Sequence, residues 1–230
     1  MKIAGLQKLT LLDFPGRMAC IVFTEGCNFR CPFCHNASLV TRSGANAEVP
    51  GEEFFSFLKK RKGILDGVVI TGGEPTLSVG LQEFIEAVKQ EGYPVKLDTN
   101  GSFPERIQTL LERGLLDYIA MDIKTVPEKY SMVAGVPIEY SNIQKSIDLI
   151  INSGVPHEFR TTVVKGLHVA EDIVSIAKML GKDQSYYLQS FVDSGDILSE
   201  GYSAFSEQEM HAMHEQAKVF CPNCSLRGIE

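Results

Sequence analysis

The residues with the most chemistry to offer are cysteines. Cys27, Cys31 and Cys34 stand at C-x3-C-x2-C spacing on the short run Glu25-Gly26-Cys27-Asn28-Phe29-Arg30-Cys31-Pro32-Phe33-Cys34-His35-Asn36. Three thiolates on one tight loop can converge on a single metal centre. Four cysteines usually saturate an iron–sulfur cluster, so three leave one iron open to a substrate. Other chemistries fit parts of the same run. Cys31 and Cys34 could join Cys221 and Cys224 in a four-cysteine zinc site, which leaves Cys27 over. Cys31-Pro32-Phe33-Cys34 has the spacing of a redox dithiol. With His35 added it is a haem-attachment string, although covalent haem attachment normally follows export. Buried apolar thiols are the plainest alternative.

Stepping outward from the loop, polar residues recur where short apolar runs end. Ala19–Thr24 reads as a buried strand, followed by Gly67–Thr71, Pro94–Asp98, Tyr118–Asp122, His157–Val164 and Tyr186–Phe191. Helical periodicity fills the intervals at Leu81–Val88, Glu105–Arg113, Ile143–Ile151 and Ala170–Leu180, with Gly114, Gly154 and Gly181 as stop signals. Ser206 opens a last helix, with Glu209 three residues on as a capping box. Lys59-Lys60-Arg61-Lys62, the longest basic run, falls at a helix end. Strand and helix alternating about six times predict parallel strands with right-handed crossovers. Six units are too few for the eightfold barrel, so an open α/β partial (β/α)6 parallel barrel is expected. Residues 1–17 form an N-terminal hairpin or extension, 18–191 the barrel and 192–230 a C-terminal segment, all in one domain over 1–230. In such sheets sites form at the carboxyl ends of strands.

The rest of the sequence narrows the function classes. The chain has 230 residues, a net charge of −7 and 44% apolar residues. No basic surface for nucleic acid stands out. No apolar stretch approaches the roughly 20 residues of a membrane span. The first residues lack the apolar core of a signal peptide, so a cytoplasmic location is expected. Six cysteines in a reducing compartment point to metal or redox work before disulfides.

The ordered motifs resemble the radical S-adenosylmethionine superfamily. C-x3-C-x2-C follows the first of these strands, with aromatic Phe33 before its last cysteine. Thr71-Gly72-Gly73-Glu74-Pro75 ends the second, and is similar to the glycine–glycine–glutamate motif of that superfamily. Asp98-Thr99-Asn100-Gly101 and Met121-Asp122-Ile123-Lys124 end the third and fourth, and resemble motifs of glycyl-radical-enzyme activases. Leu11-Leu12-Asp13-Phe14-Pro15-Gly16, the string from Phe23 to Cys31, and Ser225-Leu226-Arg227-Gly228 look most like the activating proteins of anaerobic ribonucleoside-triphosphate reductases.

That resemblance implies one [4Fe–4S] cluster on Cys27, Cys31 and Cys34, whose fourth iron chelates S-adenosylmethionine. One electron then cleaves the sulfonium compound to methionine and a 5′-deoxyadenosyl radical. Phe33 and His35 would border the adenine. Gly72 and Gly73 would bring backbone close to the ligand, and Glu74 lies beside its amino group. Thr99, Asn100, Asp122, Lys124 and Arg160 are further S-adenosylmethionine-binding candidates; Gln189 is a weaker one. Asp98, Thr99 and Asp122 correspond to a monovalent-cation site in the activases; two carboxylates there without a cation disfavour joint ionisation. As bare residues, both aspartates could merely cap the following helices, and Arg160 could form a structural ion pair.

Several features stand outside this scheme. Cys221-Pro222-Asn223-Cys224 is either a second metal or redox pair or a pair of core or surface thiols. Cys20 is expected in the core, and His211 and His214 on a solvated helix face. Asn36-Ala37-Ser38 matches a glycosylation acceptor, which means little in a cytoplasmic chain. The implied activity is abstraction of hydrogen from a glycine of a partner, an anaerobic ribonucleotide reductase, with a flavodoxin or ferredoxin as electron donor. Alternatives are an activase for pyruvate formate-lyase or another glycyl-radical enzyme, a small-molecule radical enzyme such as a deazapurine synthase, and a non-catalytic zinc or electron-transfer module.

Overall fold

Alternating apolar strands and amphipathic helices can bury their faces only by stacking in layers. The computed structural model, which describes residues 1–41 and 48–229, does this around one sheet. In chain order the elements are β1 (Ile3–Thr10), β2 (Ala19–Thr24), α1 (Ala37–Thr41), α2 (Gly51–Lys60), β3 (Gly67–Gly72), α3 (Leu81–Gln90), β4 (Val95–Thr99) and α4 (Pro104–Glu112). They continue with β5 (Tyr118–Asp122), α5 (Tyr130–Ala134), α6 (Tyr140–Asn152), β6 (His157–Val163), α7 (Ala170–Leu180), β7 (Tyr186–Ser190), α8 (Glu207–Lys218) and β8 (Cys224–Arg227).

The strands lie in the order β1 to β8. β1 pairs antiparallel with β2, and every later neighbour pair is parallel. The sheet is open, with β1 and β8 at its edges. The six expected parallel strands are present within a residue or so of their expected ends, and residues 1–17 supply one arm of the β1–β2 hairpin. The C-terminal segment corrects the expected boundary: β8 pairs with β7 from Tyr186↔Cys224 to Gln189↔Arg227, so the parallel part has a seventh strand. Its four residues contain one large apolar side chain, Leu226, too little for a periodicity signal. α8 starts at the Ser206 cap with both hydrogen bonds of the capping box made. α2 ends at Lys60, within the basic run.

Strand alternation divides the sheet into two faces. One face packs under the helices: Val68, Ile70, Val95, Leu97, Ile119 and Phe159 join Phe54, Ile85, Ile107, Ile147 and Ile173 in the main core. The other lines the barrel. There Ala19, Ile21 and Val69 meet Phe14 in a separate apolar cluster at β2 and β3. From β4 onward the same face carries Lys96, Asp98, Asp122, Glu158 and Arg160, in register across β4, β5 and β6. Among the described residues, no helix is long and apolar enough to cross a membrane.

Candidate active site

The loop after β2 carries the three cysteines to the mouth of the barrel. Cys27, Cys31 and Cys34 line one cavity of about 390 Å³. Several contacts hold the loop in shape. Arg30 donates through Nη1 to the Cys27 and Phe29 carbonyls, both at 2.7 Å. The Arg30 backbone N–H reaches the Ala134 carbonyl on α5 at 2.8 Å, and Phe29 packs edge-on against Tyr130. The Phe29 N–H donates to Cys27 Sγ at 3.3 Å. Asn100 fixes the far side: its amide Nδ2 donates to Asn28 Oδ1 at 3.1 Å and approaches Cys27 Sγ at 3.8 Å.

Burial pushes the Cys27 thiol up to about 11 and Cys31 to about 12, and raises Cys34 in the same direction. The Lys124 ammonium opposes the rise at all three. Without metal these are neutral thiols near pH 7, and bound iron supplies the charge that deprotonates them. Among the described residues, no three His, Cys, Asp or Glu side chains close around a point as ligands of a single ion would.

The turn after β3 packs directly on the cysteine loop. Gly73 N–H donates to the Thr24 carbonyl at 3.0 Å, and Glu74 N–H to the Gly26 carbonyl at 2.8 Å. A Cβ on Gly73 would sit 1.9 Å from the Gly26 oxygen, and one on Gly72, whose φ is +116°, 2.4 Å from the Thr24 nitrogen. Both glycines line the cavity, and their missing side chains are required first by the neighbouring backbone. Glu74 is fully buried and is not among the cavity-lining residues. Its carboxylate accepts from the Thr76 N–H at 2.9 Å, the Thr76 hydroxyl, the Thr99 hydroxyl at 2.8 Å and the Asn100 N–H at 2.7 Å. It ties the β3 turn to the end of β4. Burial raises its pKa despite these donors.

A buried ion network reaches the same cavity. Arg160 on β6 donates through Nε to Asp122 at 2.8 Å and through Nη1 to Asp98 at 3.2 Å. Lys96 Nζ lies 2.7 Å from the other Asp98 oxygen, and Lys124 Nζ 3.1 Å from Asp122. Burial would raise the Asp122 pKa, but the Arg160 and Lys124 charges overcome it and hold the carboxyl well below the usual range. Burial likewise disfavours charge on Lys124 and Arg160, and the aspartates keep both protonated. Two residues before Arg160 on β6, Glu158 accepts both Arg227 nitrogens at 2.8 and 2.7 Å. Arg227 stacks 3.5 Å over the Tyr187 ring.

The cavity therefore gathers Cys27, Cys31, Phe33, Cys34, His35, Gly72, Gly73, Asp98, Thr99, Asn100, Asp122, Lys124, Arg160 and Gln189. Phe33 is buried with its ring edge-on to His168, and His35 lies on Phe191 with ring centres 5.5 Å apart. Asp98 and Asp122 are paired with cations and do not cap helices; Phe103 and Val126 precede the helical turns there. The Thr99 hydroxyl donates to Glu74 and accepts from the Gly101 N–H, and Asp98, Thr99 and Asp122 all line the cavity. Sequence reasoning missed Lys96, Asp13 and Thr162. It also read Asn36 as a glycosylation string, whereas Asn36 lines the cavity and donates to the Gly72 carbonyl at 3.2 Å. Asp13 arrives from the β1–β2 connection, where only a flanking motif hinted at it.

Cys221 and Cys224 lie elsewhere, buried in the main core, with Cys221 Sγ 3.2 Å from the Gln184 carbonyl. Cys31 and Cys34 line the cavity, and Cys221 and Cys224 are not among its lining residues. His211 is exposed as expected, but His214 is not: its Nε2 lies 3.0 Å from the Cys224 carbonyl, so the helix face carrying it packs on β8. Cys20 is fully buried in the core.

Comparison with known proteins bears on the site. Residues 21–180 match the family model of the Radical SAM superfamily. A Methanocaldococcus jannaschii protein, described by name as a candidate glycyl-radical enzyme activating enzyme, is 34% identical over 99% of this chain and 96% of its own length. The pyruvate formate-lyase-activating enzyme of Listeria monocytogenes is 33% identical over 56% of each chain. In fold, Streptococcus suis SuiB bound to S-adenosylmethionine superposes with a TM-score of 0.68 at 15% identity, over 90% of this chain and 52% of SuiB. A domain of a Bacteroides vulgatus pyruvate-formate lyase-activating enzyme gives 0.57 at 18% identity, over 70% of this chain and 99% of that domain.

Proposed function

The chain belongs to the radical SAM superfamily, and from that premise we propose that it is an activase that installs a glycyl radical on a partner enzyme. The observation that carries this reading is the near full-length relationship to the M. jannaschii protein, together with three cluster-type thiols on one cavity. When bound, a [4Fe–4S] cluster and S-adenosylmethionine supply one-electron cleavage of a carbon–sulfur bond and a primary alkyl radical.

The residues of the chain place and shield that chemistry. Cys27, Cys31 and Cys34 hold the cluster. The backbone at Gly72 and Gly73 forms the wall next to it, with Glu74 fixing that wall from behind. Lys124 and Arg160 present positive charge to the carboxylate of the ligand. Phe33, held against His168, and His35, held against Phe191, border the adenine end. A primary radical abstracts hydrogen from whatever lies close, so the cavity must exclude water and admit a glycine Cα in near contact.

Our first choice of partner is an anaerobic ribonucleoside-triphosphate reductase, supported by the strings Leu11–Gly16, Phe23–Cys31 and Ser225–Gly228. Pyruvate formate-lyase is the alternative, favoured by the Listeria relationship. A flavodoxin or ferredoxin would deliver the electron, and a cytoplasmic location fits such a donor. The test is anaerobic co-incubation of the reduced, reconstituted protein and S-adenosylmethionine with each candidate. A glycyl-radical doublet in electron spin resonance on the reductase is the expected result. A doublet only on the lyase would transfer the assignment to it; cleavage of S-adenosylmethionine with no doublet on any candidate would overturn the activase reading.

A further inference from the structure

Asn100 lines the cavity, yet its side-chain amide is directed at the cysteine loop. We propose that this amide is an N–H···S donor to Cys27, and that it holds up the reduction potential of the cluster which that thiolate binds. The inference rests on the cluster site of the proposed function, but not on which partner is activated.

A closed ring of hydrogen bonds fixes which way the amide points. Asn100 directly follows β4 and is only 6% exposed. Gly101, at φ +74°, turns the chain so that the Ser102 N–H reaches back to Asn100 Oδ1 at 3.0 Å. A backbone N–H can only donate, so the atom it meets is the oxygen of the amide and not the nitrogen. The Ser102 hydroxyl donates to the same Oδ1 at 2.6 Å and accepts from Asn28 Nδ2 at 2.9 Å. Asn28 Oδ1 in turn accepts from Asn100 Nδ2 at 3.1 Å, which closes the ring. An amide nitrogen carries two hydrogens. One goes to Asn28, and Cys27 Sγ lies 3.8 Å from the same nitrogen to take the other. The Asn100 backbone is pinned as well, by its N–H to the buried Glu74 at 2.7 Å.

The chemistry at Cys27 gives this contact a use. A neutral thiol is a weak acceptor, whereas a metal-bound thiolate is charged and draws a donor in more strongly. Cys27 Sγ already accepts from the Phe29 N–H at 3.3 Å, so the Asn100 amide is a second donor on one sulfur. One-electron reduction of the cluster adds one negative charge, shared between irons and sulfurs, with no bond made or broken at Cys27. Donors aimed at a sulfur favour the more negative state, and hydrogen bonds to the sulfurs are among the levers that set cluster potentials. Asn100 thus acts on the cluster through Cys27, as a positioning residue whose own ring of partners keeps the donor in place.

The experiment titrates the full chain, reconstituted anaerobically, against a chemical reductant and follows the spin-resonance signal of the reduced cluster. Wild type is compared with Asn100→Leu, which is similar in size and has no donor. S-adenosylmethionine is left out, so a contact between Asn100 and that ligand cannot move the result. The reduced-to-oxidised ratio of Asn100→Leu at a fixed potential should fall about tenfold, a midpoint lower by about 59 mV for one electron. A second measurement uses protein isotopically labelled at the nitrogen of its asparagine side-chain amides. Pulsed spin resonance on the reduced wild-type cluster should show a weak coupling to that nitrogen, which a purely structural ring would not produce. The coupling should vanish in Asn100→Leu.

A midpoint that is unchanged or raised in Asn100→Leu would overturn the proposal. So would a coupling that survives in the variant, since it would come from another asparagine. No coupling in the wild type would also overturn it, and this arm decides even if the variant does not assemble a cluster. A wild type that forms no iron–sulfur cluster at all would instead sink the proposed function itself.

Discussion

The inner face of the barrel has two halves built on the same strand geometry with opposite chemistry. At β2 and β3 it is apolar: Ala19, Ile21 and Val69 pack on Phe14 with no polar partner needed. From β4 to β8 it is charged: Lys96, Asp98, Asp122, Glu158, Arg160 and Arg227 pair in an unbroken chain of ion pairs. The apolar half is stable by itself, because burial of apolar area is non-directional. The charged half is stable only if every member keeps its partner, since a buried charge without one is expensive. The cysteine loop rises from the apolar half, and the charged side chains that line the cavity come from the other.

The largest expected effect comes from breaking the centre of the charged half. Arg160→Met removes one of two cationic partners from each of Asp98 and Asp122, which keep Lys96 and Lys124, and should lower stability by about 3 kcal/mol. S-adenosylmethionine binding should be lost with it. Ile21→Ala in the apolar half should cost about 2–5 kcal/mol by cavity formation but leave the dissociation constant near that of the wild type. Urea unfolding and ligand titration on the same samples check both. Equal loss of binding in the two variants would dissolve the distinction between the halves.

This division also explains what the sequence disclosed. The apolar periodicity announced the six central strands, and the order of polar motifs at their ends announced the cavity, because both signals are local. The charge network was not legible. Asp98 and Asp122 were readable as helix caps or as ligands, Arg160 as a ligand contact or a structural ion pair, and Lys96 drew no notice inside a strand. Only strand register shows that they share one face, and register is a long-range property. The contacts of Glu74 were hidden for a related reason: its partners Thr99 and Asn100 sit at the end of the next strand. β8 is too short to signal itself, and Asp13 reaches the cavity from a loop far from the motifs that define it.

A smaller effect is expected at the seam between halves. Glu74→Gln replaces one accepting oxygen with a donor beside the Asn100 or Thr99 donors. It should cost roughly 1–3 kcal/mol and loosen the turn that packs on the cysteine loop. Faster hydrogen exchange at the Asn100 amide, with the rest of β4 protected, is the expected sign.

The smallest effect is a pH dependence of the charged half. Asp122 has a folded pKa below its unfolded value, so its contribution is fully present above about pH 4 and is lost as pH falls below that. The difference in melting temperature between wild type and Asp122→Asn should be constant from neutral pH down to about 5, then narrow below about 4. A gap that instead widens with acid would mean that the carboxyl is not held ionised by Arg160 and Lys124.

The central claim is that three thiols hold a cluster with one iron left for S-adenosylmethionine. Mössbauer spectroscopy of anaerobically reconstituted protein, with and without S-adenosylmethionine, tests it most directly. One iron site in four should differ from the rest and shift when the ligand is added, and Cys27→Ala, Cys31→Ala or Cys34→Ala should each prevent the cluster from forming. Four irons that ignore the ligand, or a cluster that survives loss of any of these cysteines, would contradict it.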